Sequence, residues 1–168
     1  MSRDDADGAV GWLTDDQQRA WLAWMRVHLR LTYEMHRQLQ ADSGLSLADY
    51  DVLVALSGAP DGGLQLSALA ATIGWERSRL SHHLRRMGER GLVERRVSAR
   101  DRRGTDLVLT DTGRDVLAAA APGHVALVRR LFFGGLPESQ VASLTSSLER
   151  IYAEVLAEGT LPPPPPAR

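Results

Sequence analysis

The sequence predicts a mainly α-helical fold carrying one small β-hairpin, with a compact helix–turn–helix–hairpin unit set between long helices. Two observations carry the helical class. Hydrophobic residues make up 43% of the 168 and aromatics only 5%, so any core is built largely from Leu, Val and Ala, a composition that favours helices. Gly and Pro cut the chain into segments of helical period, interrupted once by two short runs around residues 92–109 that read as strands. A third observation concerns charge. All 20 basic residues are Arg, and between Glu76 and Arg103 ten Arg stand against four acids, a net +6, while the remainder carries ten Arg and 17 acids, a net −7. Such asymmetry fits a local nucleic-acid-binding surface on an acidic body, and it fits equally a solvated charged helix and turn.

The elements follow in order. Thr14 and Gln17 have the capping-box spacing, and Asp15 and Asp16 suit the positive end of a helix dipole. Trp21, Trp24, His28, Leu31, Met35 and Leu39 then form a stripe along a first helix reaching about Ala41, ended by Gly44. Ser46 caps a second helix over Leu47 to Leu56, which stops before Ser57-Gly58-Ala59-Pro60. Asp61-Gly62-Gly63 is a turn, and Leu64 to Leu66 has the makings of a minimal strand. Ser67 to Ile73 is a two-turn helix closed by Gly74, and another helix runs from about Glu76 to Arg90 with Gly91 as its stop. Leu92 to Val97 and Thr105 to Leu109 are the paired strands, joined by a basic turn over Ser98 to Gly104. Thr110 caps a helix running towards Phe133, with a bend expected at Pro122-Gly123 because Pro lacks an amide donor. Gly134-Gly135 breaks it, and Pro137 suits the first turn of the last helix. There Val141, Leu144, Leu148, Ile151 and Val155 recur like a coiled-coil seam and are the expected dimerisation residues. The tail from Leu161 through Pro162–Pro166 cannot be helical.

Two short helices joined by a Gly-containing turn and followed by a hairpin make a winged helix-turn-helix. In that unit the second helix lies in the DNA major groove and the hairpin touches backbone or minor groove. On the second helix Leu80, Leu84 and Met87 fall on the inward side. Ser78, Ser81, His82, Arg85 and Glu89 fall opposite, flanked by Arg79 and Arg86 and preceded by Arg77. Hydroxyl, imidazole and guanidinium groups donate to base edges and phosphates, and Arg grips guanine with two bonds. A merely solvated face would mix in Glu and Lys at i,i+4 spacing.

With these residues in view the chain resembles the multiple-antibiotic-resistance regulator (MarR) family. The resemblance rests on Leu66-Ser67-Ala68-Leu69-Ala70, Gly74, Leu84, Arg90-Gly91-Leu92-Val93-Glu94-Arg95, Asp101-Arg102-Arg103 and Leu109-Thr110-Asp111-Thr112-Gly113-Arg114. It spans about residues 14–157 with the helix order in agreement. It implies a homodimer in which the first, fifth and sixth helices interdigitate, each winged helix reading half of a pseudo-palindromic operator. It also implies that Arg103 at the wing tip enters the minor groove, oriented by Asp101, with Arg100 and Arg102 on phosphates; narrow A·T-rich grooves concentrate the negative potential such an Arg seeks. In relatives, small aromatic or anionic ligands bind where the first helix meets the winged unit and loosen DNA binding; Trp24, His28, Tyr33, His36 and Tyr50 are the candidates here. Two residues depart from the family pattern. Glu76 stands where a Ser or Thr usually starts the recognition helix, and Ser98 replaces an acidic residue common early in the wing.

Other functional classes find less support. No Gly-x-Ser-x-Gly elbow, P-loop or dinucleotide-binding fingerprint is present, so the reading is not an enzyme and no cofactor is implied. The absence of Cys excludes disulfides, thiolate metal sites and cysteine-based peroxide sensing. His82 and His83 diverge by ~100° on a helix and cannot chelate one metal. A metal-responsive regulator would have to rely on His28 and His36, two turns apart. A winged helix used only for protein contacts would not need the +6 segment. Trp21, Trp24 and Met25 on the first helix are read more simply as dimer-core residues than as a ligand box. No run approaches the roughly 18 consecutive apolar residues of a membrane span, and Met1 to Gly8, with Asp4, Asp5 and Asp7, is no secretory signal. The expectation is a cytoplasmic regulator with no membrane partner. It divides into a flexible acidic tail (1–13), helices one and two (14–60), the DNA-binding unit (61–109), dimerisation helices five and six (110–158) and a Pro-rich tail (159–168).

Overall fold

The structure, a computed structural model, describes residues 11–59, 62–98 and 104–165. Its elements are α1 (Asp15–Ser43), α2 (Leu47–Ser57), α3 (Leu66–Ile73), α4 (Arg77–Glu89), β1 (Val93–Val97), β2 (Thr105–Leu109), α5 (Asp111–Val128), a π-helical turn (Arg129–Phe133) and α6 (Glu138–Glu158). This is the expected mainly α fold, with a winged helix-turn-helix embedded between long helices.

Local chemistry sets most boundaries. At α1 the Gln17 amide donates to the Thr14 hydroxyl at 3.2 Å and the Thr14 amide donates to the Gln17 side chain at 2.9 Å, closing the capping box. Ser46 and Asp49 form a second box, at 2.9 and 3.0 Å, that starts α2. Gly44 and Gly74 end α1 and α3 in the left-handed region, at φ 64° and 70°, where a side chain would be strained.

The core forms around α2, which is apolar on several sides and packs against α1, α3, α5 and β2. Leu39, Leu45, Val52, Leu53, Leu56, Leu69, Leu80 and Met87 are the most completely buried side chains. At about 1.5–3 kcal/mol for each large side chain withdrawn from water, this cluster holds α4 firmly against α2 and α3. The antiparallel hairpin runs in register from Val93↔Leu109 to Val97↔Thr105. The minimal strand expected at Leu64 to Leu66 is a single bridge from Leu64 to Leu107, because Leu66 already begins α3.

Helical bonding continues through Pro122, where the sequence suggests a bend; the departure from α geometry comes later, at Arg129–Phe133, where the turn widens. Gly123 lets α5 approach α1 closely, since a Cβ there would press within 3.1 Å of the Asp42 and Gln38 side chains. Over Asp111–Phe133 mean hydropathy reaches 1.4, long and apolar enough by length and composition to cross a membrane, although Pro122, Gly123 and His124 interrupt the consecutive apolar run. Its inner stripe of Gly113, Ala120 and Leu127 is buried in the protein. No residue of α6 is buried, and Ile151, Tyr152 and Val155 stand more than half exposed.

Candidate nucleic-acid interface

The short α3, the Gly74 turn and the buried stripe of α4 together decide which face of α4 is presented. Leu80, Leu84 and Met87 lock inward as expected. Arg77, Ser78, Arg79, His82, Arg85 and Arg86 are exposed, and Ser81 is half-buried. Glu76 occupies the N-cap position and makes no side-chain cap bond, so the departure noted at this position leaves the first amides of α4 uncapped. The Arg79 guanidinium lies over the Trp75 indole, 4.0 Å from the ring centroid, which fixes its stem against the turn.

Beside α4, Gln65, Leu66, Ser67, Arg77, Gly104 and Thr105 line a cavity of about 250 Å³ between the start of α3 and the base of the hairpin. Gln65 makes no side-chain cap bond at α3 either, so a guanidinium and an uncapped helix N-terminus share this hollow. On β1, Glu94, Arg95 and Arg96 face solvent, with Glu94 and Arg96 paired at 2.6 Å. The hairpin closes with the Ser98 amide donating to the Gly104 carbonyl at 3.0 Å. Arg100, Asp101, Arg102 and Arg103 lie outside the described residues.

Behind α4 lies a polar group that the outward-face reading did not single out. Asp49, buried on α2, takes Arg90 Nη1 at 2.8 Å, while Arg90 Nη2 donates to the Gly44 carbonyl at 3.1 Å. His83, also buried, sets Nε2 3.0 Å from Asp49 Oδ1, a close polar contact rather than a well-aligned hydrogen bond. Burial works against the charge on Asp49. The contacts of His83, then Arg90, then the amide and hydroxyl of Ser46 more than offset it and hold the carboxyl well below its ordinary range. The signal was present in the sequence: His83 follows Leu80 by three residues and precedes Met87 by four, which puts it in the buried stripe.

With 37% identity over 89% of this chain and 100% of the other, and a TM-score of 0.81, the structure is similar to AbsC, a MarR family transcriptional regulator from Streptomyces coelicolor. The chain belongs to the MarR family. The MarR family model matches residues 43–104, from the end of α1 to the edge of the hairpin. Sco3205, a MarR family regulator from the same organism solved in complex with DNA, is 37% identical over 94% of this chain and 99% of that one, with a TM-score of 0.81. CouR from Rhodococcus jostii RHA1, solved bound to p-coumaroyl-CoA, is 26% identical over 83% of this chain and 95% of its own, with a TM-score of 0.71. The protein is a MarR-family transcriptional regulator, a family of regulators rather than enzymes.

Within this MarR-family chain the expected ligand residues do not converge. Trp24 stacks on His28 with ring centroids 5.5 Å apart, Trp24 and Tyr33 are about half exposed, and His36 Nδ1 accepts the Leu47 amide at 3.3 Å. Tyr50 is buried against the His124 ring at 4.4 Å. A cavity of about 470 Å³ opens instead between α5, the π-helical turn and α6, lined by residues that include His124, Arg129, Phe133 and Val141. The dimerisation stripe lies along one unburied helix: Val141 and Leu144 are half-buried, and Leu148, Ile151 and Val155 are exposed.

Proposed function

We propose that the protein is a sequence-specific DNA-binding repressor, acting in the cytoplasm as a homodimer on a pseudo-palindromic operator and released by a small aromatic or anionic ligand. The outward face of α4 carries the proposal: exposed Arg77, Ser78, Arg79, His82, Arg85 and Arg86, with Ser81 beside them, on a helix whose other side is fixed in the core. Base edges in the major groove are read by such donors. The hollow that joins Arg77 to the start of α3 suits a backbone phosphate, which would set the register of α4 in the groove. Arg100, Arg102 and Arg103 extend the positive surface in sequence, with Asp101 orienting Arg103 as the family resemblance implies. The complex of Sco3205 with DNA supports the same reading in a close relative.

Homodimerisation is supported by α6, whose apolar stripe is nowhere fully covered by the described residues, and by the exposed Trp21, Leu22 and Trp24 on α1. Ligand release is supported by CouR, solved bound to p-coumaroyl-CoA, and by the seam between α2 and α5 where Tyr50 packs on the His124 ring.

The test is salt dependence. Each phosphate neutralised contributes about −0.9 to the slope of log K against log salt, so six to ten contacts would lower affinity by roughly 10³–10⁵ between about 50 and 200 mM. Affinity for duplex DNA that ignores salt would contradict the proposal.

A further inference from the structure

We propose that Asp49 and His83 are positioning residues for base recognition, holding Arg86 and, through Trp75, Arg79 at the angles from which their guanidiniums reach DNA. The proposal rests on the DNA-binding reading above and adds to it a source of specificity buried beneath the interface.

The hydrogen-bonding pattern fixes the protonation of the ring. Arg86 Nη2 lies 3.2 Å from His83 Nδ1, and a guanidinium can only donate, so Nδ1 accepts and carries no proton. The single proton of a neutral imidazole is therefore on Nε2, which faces Asp49 Oδ1 at 3.0 Å. Asp49 cannot turn away. The Ser46 amide donates to Asp49 Oδ2 at 2.9 Å at the start of α2, and Arg90 clamps the same oxygen at 2.8 Å. The same ring meets the Trp75 indole in a T-shaped contact, 5.3 Å between centroids, and the Arg79 guanidinium lies over that indole. One anchored imidazole thus backs two outward guanidiniums. An unsupported surface Arg samples many rotamers, and ordering it on DNA costs affinity that preorganisation recovers.

The charged and aromatic groups facing His83 are Asp49 from α2, Arg86 and Arg90 from the end of α4, and Trp75 carrying Arg79 at its start.

Two variants separate the contacts. His83→Gln keeps an amide N–H near the place of Nε2 and has no acceptor near Nδ1; His83→Asn puts an amide oxygen near Nδ1 and does not reach Asp49. The probes are a duplex that the parent protein enriches from a random pool and a shuffled duplex of equal length. The readout is the ratio of the two affinities. His83→Gln should lower the ratio roughly three- to tenfold, and adding it to an Arg79→Ala, Arg86→Ala protein should lower the ratio no further. His83→Asn should recover only part of the ratio, because it keeps the acceptor for Arg86 and loses the contact with Asp49. Equal weakening on both duplexes, a further loss on adding His83→Gln to the paired Arg variants, or full recovery in His83→Asn would overturn the relay, as would an Arg86→Ala protein with an unchanged ratio. Failure of the parent to enrich any duplex would instead overturn the DNA-binding reading. Should His83→Gln not fold, Trp75→Leu should lower the ratio as Arg79→Ala does, and the two together should lower it no further. Additive losses there would overturn the relay.

Discussion

The Thr110 hydroxyl donates to the Gly91 carbonyl oxygen, 2.6 Å away, and so ties the cap of α5 to the turn that ends α4. The Thr110 hydroxyl oxygen in turn accepts the Gly113 amide at 2.9 Å, and a Cβ at Gly113 would collide with the Leu92 carbonyl oxygen. This is the physical content of the Leu-Thr-x-x-Gly pattern at residues 109–113: a hydroxyl to bind the turn and a bare Cα to let the helix sit on it. Gly113→Ala should lose about 1–3 kcal/mol in denaturant unfolding, by overpacking. Thr110→Ala should lose about 0.5–2 kcal/mol, the usual cost of a missing cap. A Gly113→Ala protein as stable as its parent would show that α5 can lift off Leu92 freely.

Assembly is tested at α6. Its stripe is apolar and uncovered, so changing Leu148 and Ile151 together to Asp should cost the single chain little and abolish self-association. Sedimentation should show the parent near twice the 18.4 kDa chain mass and the double variant at that mass. DNA binding should fall with it, because two half-sites then no longer share one protein. A parent that sediments as a single chain at micromolar concentration would contradict the dimer.

Acid should weaken the fold through His124. Burial lowers the proton affinity of this ring, packed on Tyr50, below the ordinary imidazole value of 6.5. The unfolded chain then binds the proton more readily than the folded one, so stability is lost as pH falls below that value towards the folded pKa. His124→Phe removes the term. The difference in unfolding free energy between parent and variant should therefore shift in the variant's favour as pH drops from about 7.5 to 5. A difference independent of pH would show that the folded ring protonates as easily as a free one.

The hollow beside Arg77 gives a separate prediction for the DNA complex. Arg77→Ala should weaken binding to all duplexes about equally and reduce the salt slope by about one per chain, as expected for a phosphate contact. Arg85→Ala should instead cost about 1–3 kcal/mol on the preferred duplex and relax preference at one symmetric pair of positions. Quantitative titrations against duplexes altered one base pair at a time distinguish the two. Reversal of these behaviours would exchange the roles of the two residues.

What the sequence made legible was whatever depends on neighbours along the chain. The Thr14 and Ser46 caps, the Gly44 and Gly74 stops, and the pair of short strands ending at Val97 and Leu109 are short-range signals, and the structure carries each of them, although neither strand alternates cleanly between buried and exposed residues. The exposed face of α4 was legible for the same reason, since helical period alone separates Arg85 from Leu84. The Asp49–Arg90 and Asp49–His83 pairs were not, because they join α2 to α4 across the fold and depend on how those helices cross. The π-helical turn at Arg129–Phe133 escaped because a widened turn leaves no mark in hydrophobic spacing. The candidate ligand residues share a place on α1 and α2, but side-chain direction, which spacing along a helix specifies only coarsely, leaves Trp24 and Tyr33 about half exposed in the single chain.

Selection from a random pool of duplexes, followed by footprinting of the enriched sequence, tests the central claim most directly. A dimer presenting two α4 faces should enrich a pseudo-palindrome whose half-sites are centred about one helical turn apart, roughly 10–10.5 base pairs, or a multiple of it. The footprint should be symmetric, with one dimer per duplex, and the sequence enriched by Arg85→Ala should lose its preference at one symmetric pair of positions. A pool that remains random after repeated rounds at low salt, with the protein folded and dimeric, would contradict the assignment of α4 as a reader of DNA sequence.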